Sequence, residues 1–423
     1  MSIEQIPARQ AAAGGAVVSW NPVPATGTYA LQDPLDAGLY RVVTDTTQSI
    51  ASASVKILGS SGYQFGSIAI RGGLGYVAVA DTAASFSVNA GTFPLLIGFE
   101  KLETYALRSA PTNVSVNYTS ASAPYTFTAS YTAPSGAASI GIFWPNGTFT
   151  NYGVASGSFS ASLVGVTPVS GSPVSFVIAA SDTNGIFGIG ASASEPFPYY
   201  LFTSSGTYTP PPGSSFADVW VAGGGGAGGG ATSNYSRAGG GAAGTLVHSA
   251  SVATSASVSV TIGAGGTANA SGNGGTGGAS SFGGVSASGG VGGAVNGSNG
   301  LNGEVGSGAG APPNRTGGTA TIGFAGGNSN YGSGGGGGMG GAGANATGAS
   351  PSGTAGGSGS VVSGLTISSG GNGANRWSPT GSLIQGGANP VRGGGGGGAS
   401  KGTGANVAGS NGTDGIVLVK ALF

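Results

Sequence analysis

The sequence predicts an all-β protein in three parts: an N-terminal β-sandwich over residues 1–105, a second sandwich over 106–197, and a glycine-rich domain over 198–423 in which extended threefold coils are framed by strands. Three observations predict it. Short alternating or β-branched runs separated by Gly, Ser and Asp-Thr turn signals recur roughly every ten residues through the first half. No heptad or long amphipathic helical pattern occurs. Glycine is split sharply, 24 of the 92 falling before residue 221 and 68 after it.

In the first part the runs YRVVTDT, SASVKILGS, GSIAIRGG, YVAVA, SFSVNA and LLIGFEKLE read as strands of a small sandwich. In the second, bounded by SAPTNVSV and SASEPFPYY, the strands are TFTASYTAP, ASIGIFW, SFSASLVGV and VSFVIAASD. The late strand VSFVIAASDTNG and the following GASASEP resemble the final hairpin of a fibronectin type III domain, over about 85 residues. That resemblance implies a spacer. The early-strand tryptophan common in that family is missing, Tyr131 being the nearest bulky candidate, and a generic immunoglobulin-like sandwich fits the same pattern.

The third part opens with LFTSSGTYTPPPG and FADVWVA, is crossed early by SVSVTIGAGG and closes on GIVLVKALF. A disordered linker does not ordinarily end in an alternating apolar strand, so structured ends predict a structured middle. Glycine recurs every third residue at Gly272, Gly275 and Gly278, and again at Gly297, Gly300, Gly303 and Gly306. This is the period of a left-handed polyproline-II-type helix, which makes no hydrogen bonds within itself. Packed side by side as polyglycine-II-type helices, such coils would bond to their neighbours, and only glycine lets the backbones approach closely. Collagen is excluded by the solid runs Gly334 to Gly338 and Gly393 to Gly398 and by the scarcity of proline.

The order FTSSGTYTPPPG, VWVAGGGGAGGG, AGGGAAG, SVTIGAGG, GGTGGASSFGG, repeated GGxGG blocks and GTDGIVLVKALF resembles the glycine-rich domain of bacteriophage tail and fibre proteins, over roughly residues 198–423. The packed glycine helices are also similar to those of receptor-recognising adhesins at the long-tail-fibre tips of myophages. The resemblance implies an exterior virion protein made in the host cytoplasm, whose first domain attaches to other virion proteins of the tail or capsid. Its glycine domain would contact a host cell-surface polysaccharide. Fibre proteins of this kind are often trimeric, but no heptad or self-complementary stripe here specifies a stoichiometry.

Composition narrows the classes. Charged residues make up 6%, twelve acidic and twelve basic, so neither a nucleic-acid footprint nor a polybasic membrane surface is available. No run reaches membrane-spanning length, and the start MSIEQIPARQAAAGG lacks the pattern of a secretory signal. A surface-like texture without an export signal suits a virion part released by lysis. Two alternatives stand beside it: a purely structural virion fibre or capsid decoration, and a bacterial surface glycine-repeat protein.

Glycine packing supplies stiffness but little chemical information, so recognition is expected in the segments that interrupt it: ATSNYSRA, APPNRTGGTATIGFAGGNSNYG and NRWSPTGSLIQGGANPVR. Their candidate ligand-binding residues are Tyr235, Arg237, Asn314, Arg315, Phe324, Asn330, Tyr331, Asn375, Arg376, Trp377 and Arg392. Flat aromatic faces stack on the C–H surface of a sugar, and planar amide or guanidinium groups bond its hydroxyls. The competing reading has the aromatics capping lattice edges. No enzyme is expected: a glycosidase needs a close carboxylate pair, whereas the glycine-rich stretch of residues 221–423 offers only Glu304 and Asp414. His248, the sole histidine, has no nucleophile elbow near it, cysteine is absent, and neither a metal site nor a cofactor is implied. The Asn-x-Ser/Thr triplets are expected from composition alone.

Overall fold

The computed structural model describes residues 17–36, 38–44, 53–59, 64–70, 74–79, 83–90, 95–101, 109–144, 148–153, 157–181, 187–311, 314–330, 332–346, 354–374 and 391–423. These form strands, bridges and extended coil with no helix, in two compact units, Met1–Phe197 and Pro198–Phe423.

The first unit begins with eight strands: β1 (Val17–Val23), β2 (Gly27–Leu35), β3 (Gly38–Thr44), β4 (Ala53–Gly59), β5 (Gln64–Ile70), β6 (Leu74–Val79), β7 (Ala83–Ala90) and β8 (Leu95–Lys101). Two antiparallel sheets result, ordered β1-β8-β3-β6 and β2-β7-β4-β5. That order is the eight-stranded double-sheet jelly roll, a more specific topology than the plain sandwich expected from strand spacing. Alternation decides which side chains face inward. Tyr40 and Val42 of β3, Phe86 and Val88 of β7, and Ile97 and Phe99 of β8 fill the space between the sheets, with Phe86 and Phe99 edge to face at 5.5 Å. Arg41 and Glu100, opposite one another on β3 and β8, form an ion pair.

Seven more strands follow: β9 (Thr112–Tyr118), β10 (Thr126–Thr132), β11 (Ser139–Phe143), β12 (Phe149–Asn151), β13 (Ser158–Ser162), β14 (Pro173–Ser181) and β15 (Phe187–Pro196). They pair as β13-β10-β9 and β12-β11-β14-β15. The hairpin read from VSFVIAASDTNG and GASASEP is β14 and β15, in register from Pro173↔Pro196 to Ser181↔Phe187. Tyr131 is buried but is not the bulkiest core residue. Trp144, just past β11, is wholly enclosed between Phe127 and Phe176, and its indole N–H donates to Thr150 Oγ1 at 2.9 Å. Phe143, Val177 and Ala179 join the jelly-roll core cluster, which ties the two sandwiches into one unit.

In the second unit, Tyr199–Phe202, Ile416–Leu422, Phe216–Ala222 and Leu246–Ala253 make one antiparallel sheet in that order. A second sheet contains Gly206–Tyr208, Val258–Thr261, Ser280–Phe282 and Val285–Ala287. The alternation Ala217, Val219, Val221 on one strand and Val417, Val419 on its neighbour meets Tyr208, Val260 and Phe282 between them. The strand that leads into the glycine runs and the strand that closes the unit are thereby locked side by side, Phe216 opposite Leu422.

Beyond these sheets the backbone bonds in threes. The amides of Gly223, Gly226 and Gly229 donate to the carbonyls of Thr245, Ala242 and Gly239; those of Gly224, Ala227 and Gly230 donate to Gly278, Gly275 and Gly272; those of Gly225, Gly228 and Ala231 donate to Thr413, Ser410 and Val407. All three neighbours run antiparallel to the 223–231 coil. Its carbonyls accept from three further segments, for example Gly224 from Gly290, Ala227 from Gly293, Gly225 from Gly266, and Gly226 from Gly396. A coil with six bonded neighbours and a period of three satisfies its buried polar groups without a sheet or an α-helix. Glycine is required for the approach. A Cβ at Gly223, Gly226 or Gly228 would fall on the carbonyl of Ser288, Val291 or Gly397.

Two buried tyrosines give the protein an alkaline limit. Burial, reinforced by the nearby charge of Asp36, pushes the Tyr40 hydroxyl up to about 12, and burial does the same at Tyr208. An unfolded tyrosine titrates near pH ~10. The folded chain therefore holds these protons more tightly, and the stability they contribute is complete below that value and lost as pH rises from about 10 through about 12. Tyrosinate absorbance followed with a fold-sensitive signal is expected to show a late-titrating class coincident with unfolding. Complete titration near pH ~10 with the fold intact overturns this.

Candidate functional site

The coils run between two ends. At the proximal end Gly223 follows the Phe216–Ala222 strand and Gly415 precedes Ile416–Leu422. The distal end is where the chain turns after Ala231, Asn296 and Ala311, and before Ala238. These points are stitched together by Ala231 N–H to Val407 O (2.9 Å), Ala238 N–H to Ala399 O (2.8 Å), Asn296 N–H to Gly230 O (3.3 Å) and Ala311 N–H to Arg237 O (3.0 Å).

Five of the predicted residues lie at this distal end. Tyr235 is 57% exposed with φ of 58°, in a turn whose amide bonds Gly402 O at 3.2 Å. Arg237 is half-buried, its backbone paired with Ser400 on one side and bridged to Ala311 on the other. Asn314, at φ of 66°, and Arg315 are both exposed. Arg315 forms a short ladder with Ser329, which precedes the half-buried Asn330. Left-handed backbone at non-glycine residues is a strained state held by its surroundings. Its occurrence at both Tyr235 and Asn314 fixes the direction of two prospective contact residues.

Phe324 and Arg392 do not join them. Phe324 accepts from Gly306, whose own carbonyl takes the Gly337 amide, and Gly337 O in turn binds Ala243 near the proximal strands. Arg392 precedes Gly393, which bonds Asp414 O at 2.7 Å, and its guanidinium stands 3.7 Å from the Asp414 carboxylate. Both are proximal. Tyr331, Asn375, Arg376 and Trp377 lie outside the described residues. His248 stacks on Trp220 at 4.6 Å, interplanar angle 7°, on the framing sheet.

Many asparagines turn out to belong to the scaffold. At the lattice margin a coil lacks a neighbour, and an Asn side-chain carbonyl substitutes for the missing backbone one. Asn273 Oδ1 accepts from Val295 N–H (2.8 Å), Asn328 from Gly317 (2.8 Å) and Asn372 from Gly356 (2.9 Å). Asn299 and Asn302, three residues apart, accept from Thr316 and Thr319, while Gly300 and Gly303 donate back to the carbonyls of those same threonines.

Lys401 was missed by sequence reasoning. It is 4% exposed, and its ammonium donates to Thr232 O at 2.7 Å and Asn406 Oδ1 at 3.1 Å. Asn296 Oδ1 secures the same turn through Thr232 N–H (2.6 Å) and Oγ1 (2.9 Å). The available signal was a single cation in a glycine-rich stretch free of acids, ASKGTGANVAG. Glu304 lies at the proximal turn between two antiparallel stretches joined by Ser307 N–H to Leu301 O and Gly310 N–H to Ser298 O. Asp218 is on the framing strand. With Asp414 also proximal, none of the three acids of residues 198–423 is at the distal end, which carries Arg237, Arg315 and Lys401.

Antiparallel strands clamped around a glycine coil lattice with loops gathered at its far end define a glycine-rich all-β scaffold. The family model for the glycine-rich domain, Gly_rich_2, matches residues 203–422, more than half of the chain, and the chain belongs to that family. No curated protein matches the sequence. Among solved structures the chain is similar to the glycoside hydrolase domain of Endo-D from Streptococcus pneumoniae R6, at 10% identity and a TM-score of 0.21, covering 42% of this chain and 33% of that one. It is similar also to a β-1,2-glucanase from Parabacteroides distasonis, at 9% identity and a TM-score of 0.16, covering 42% and 30%. The chain thus spans a third or less of either, and likeness this shallow says nothing about activity.

Proposed function

We propose that the chain is an exterior bacteriophage protein of the tail or fibre, and that the distal end of its glycine lattice binds a host surface glycan during adsorption. In this reading the jelly roll attaches the protein to the particle, the second sandwich serves as a fibronectin type III-like spacer, and the lattice acts as a polyglycine-II-type platform. The observation that carries it is the gathering of Tyr235, Asn314 and Arg315, all exposed and the first two held in the left-handed backbone region, at the distal end of the glycine lattice. Rigid presentation of an aromatic face beside planar polar groups suits a saccharide and loses little entropy on binding. The role is binding and not hydrolysis, because a glycosidase needs two carboxyl groups flanking the bond it breaks and the distal end holds no acid.

A second reading, a structural fibre or capsid decoration with no ligand, is favoured by the scaffold use of Asn273, Asn299, Asn302, Asn328 and Asn372. Glycan-array binding by the intact chain, repeated with Tyr235→Ala, separates the two. Binding is expected to fall by about tenfold in the variant with melting unchanged, the loss of one stacked aromatic anchor. No binding to any glycan by the intact chain overturns the proposal and leaves the structural reading.

A further inference from the structure

The distal end pairs its exposed aromatic with an unusual electrostatic arrangement. Lys401 is buried, yet the two partners its ammonium has among the described residues, Thr232 O and Asn406 Oδ1, are neutral oxygens. Taking a cation out of water is costly unless it meets an opposite charge. Residues 198–423 provide none nearby, because their three acids, Asp218, Glu304 and Asp414, all stand toward the opposite end. Ser236, directly opposite Lys401 in the short antiparallel ladder, is followed by Arg237, and Arg315 lies exposed at the same end. Within this unit positive charge is therefore collected where the loops are and its three carboxylates are kept at the other end, although the whole protein is electrically neutral.

Resting on the glycan-binding reading, we infer that the ligand of the distal end is an anionic polysaccharide, bearing phosphate or carboxylate groups. The anion bonds the exposed Arg315 guanidinium and offsets the charge of the buried Lys401 through its field, while Tyr235 stacks on a sugar ring. Phosphate and carboxylate present the same acceptor chemistry to an ammonium and a guanidinium, and charge-assisted bonds of this kind are the strong ones. Fields from exposed charges are screened over roughly 10 Å at 0.1 M salt, so the Arg315 contribution is salt-sensitive and the buried Lys401 contribution much less so.

The test measures binding of the intact chain to three probes: polygalacturonate, its fully methyl-esterified neutral counterpart, and a phosphate-bearing polysaccharide, dextran phosphate. At least one anionic polymer is expected to bind about tenfold or more tightly than the neutral one, equivalent to one added charge-assisted hydrogen bond. The stronger of the two identifies carboxylate or phosphate. Arg315→Gln is expected to weaken binding several-fold and to reduce its salt dependence between about 50 and about 500 mM NaCl. Lys401→Met is expected to weaken it further, and Arg315→Gln alone carries the test if that variant fails to fold. Equal binding of neutral and anionic polymers without salt dependence overturns the anionic inference and leaves glycan recognition standing. Anionic binding unaffected by Arg315→Gln in a folded protein, as nonspecific adsorption would give, also overturns it. Binding to none of the three, with no hit on a broad glycan array, removes the glycan-binding reading itself.

Discussion

Replacing Gly228 by alanine is expected to destabilise the C-terminal unit by about 3 kcal/mol or more, from a single methyl group. Gly228 is fully enclosed, its amide bonds Ser410 O at 2.9 Å, and an added Cβ would coincide with the carbonyl of Gly397. Neither side can yield. The obstacle is backbone, and the adjacent Gly398 amide is tied to Asn372 O at 3.0 Å. Alanines next to such glycines are tolerated because they point into small apolar clusters, Ala231 with Ala238 and Ala399, and Ala242 with Ala243 and Val305. Gly206→Ala is the matched control: it is exposed, nothing would lie within 4 Å of its Cβ, and a change within about 0.5 kcal/mol is expected. Thermal melts of both variants decide. A Gly228→Ala protein as stable as its parent means that the coils are not in contact.

Hydrogen exchange gives the second large effect. The nine amides of residues 223–231 donate to three separate neighbours in rotation, so the departure of any one neighbour frees only a third of them. They are expected to exchange as a block, about ten-thousandfold or more slower than free peptide, through unfolding of the unit and not by local fraying. The exposed turn at residues 403–405 serves as the fast-exchanging reference in the same molecule. Random-coil rates across 223–231 would remove the rigid platform, and with it the physical basis of the proposed recognition. Residue-by-residue exchange that thins out progressively from the distal end would mean a lattice that frays, with Tyr235 and Arg315 carried on a moving support.

Some of this was legible in the sequence. Gly272, Gly275 and Gly278 were singled out for their spacing, and it is their carbonyls that accept from Gly230, Ala227 and Gly224. The spacing of Gly300, Gly303 and Gly306 likewise becomes three bonds, to Thr316, Thr319 and Phe324. The framing strands could be read from FADVWVA and GIVLVKALF because alternation is a local property of the chain. Trp144 ends the run ASIGIFW, but the strand itself stops at Phe143, so alternation along the run could not say that the indole faces the core of the second sandwich. The scaffold role of Asn299 and Asn302 was equally hidden, since an Asn that caps a neighbouring coil and one that waits for a sugar have the same local sequence.

The all-β character, the break near residue 220, the threefold period and the scarcity of charge follow from the sequence by itself, because each is written in the conformational preference or chemistry of successive residues. Which coil lies beside which was decided only by the tertiary structure. So were the jelly-roll strand order, the separation of Phe324 and Arg392 from Tyr235 and Arg315, and the burial of Lys401 away from Asp218, Glu304 and Asp414. The physical reason is that peptide groups in glycine runs are nearly interchangeable as hydrogen-bond partners. Local sequence leaves their pairing degenerate, and only the closure of the whole lattice between its framing strands selects one arrangement.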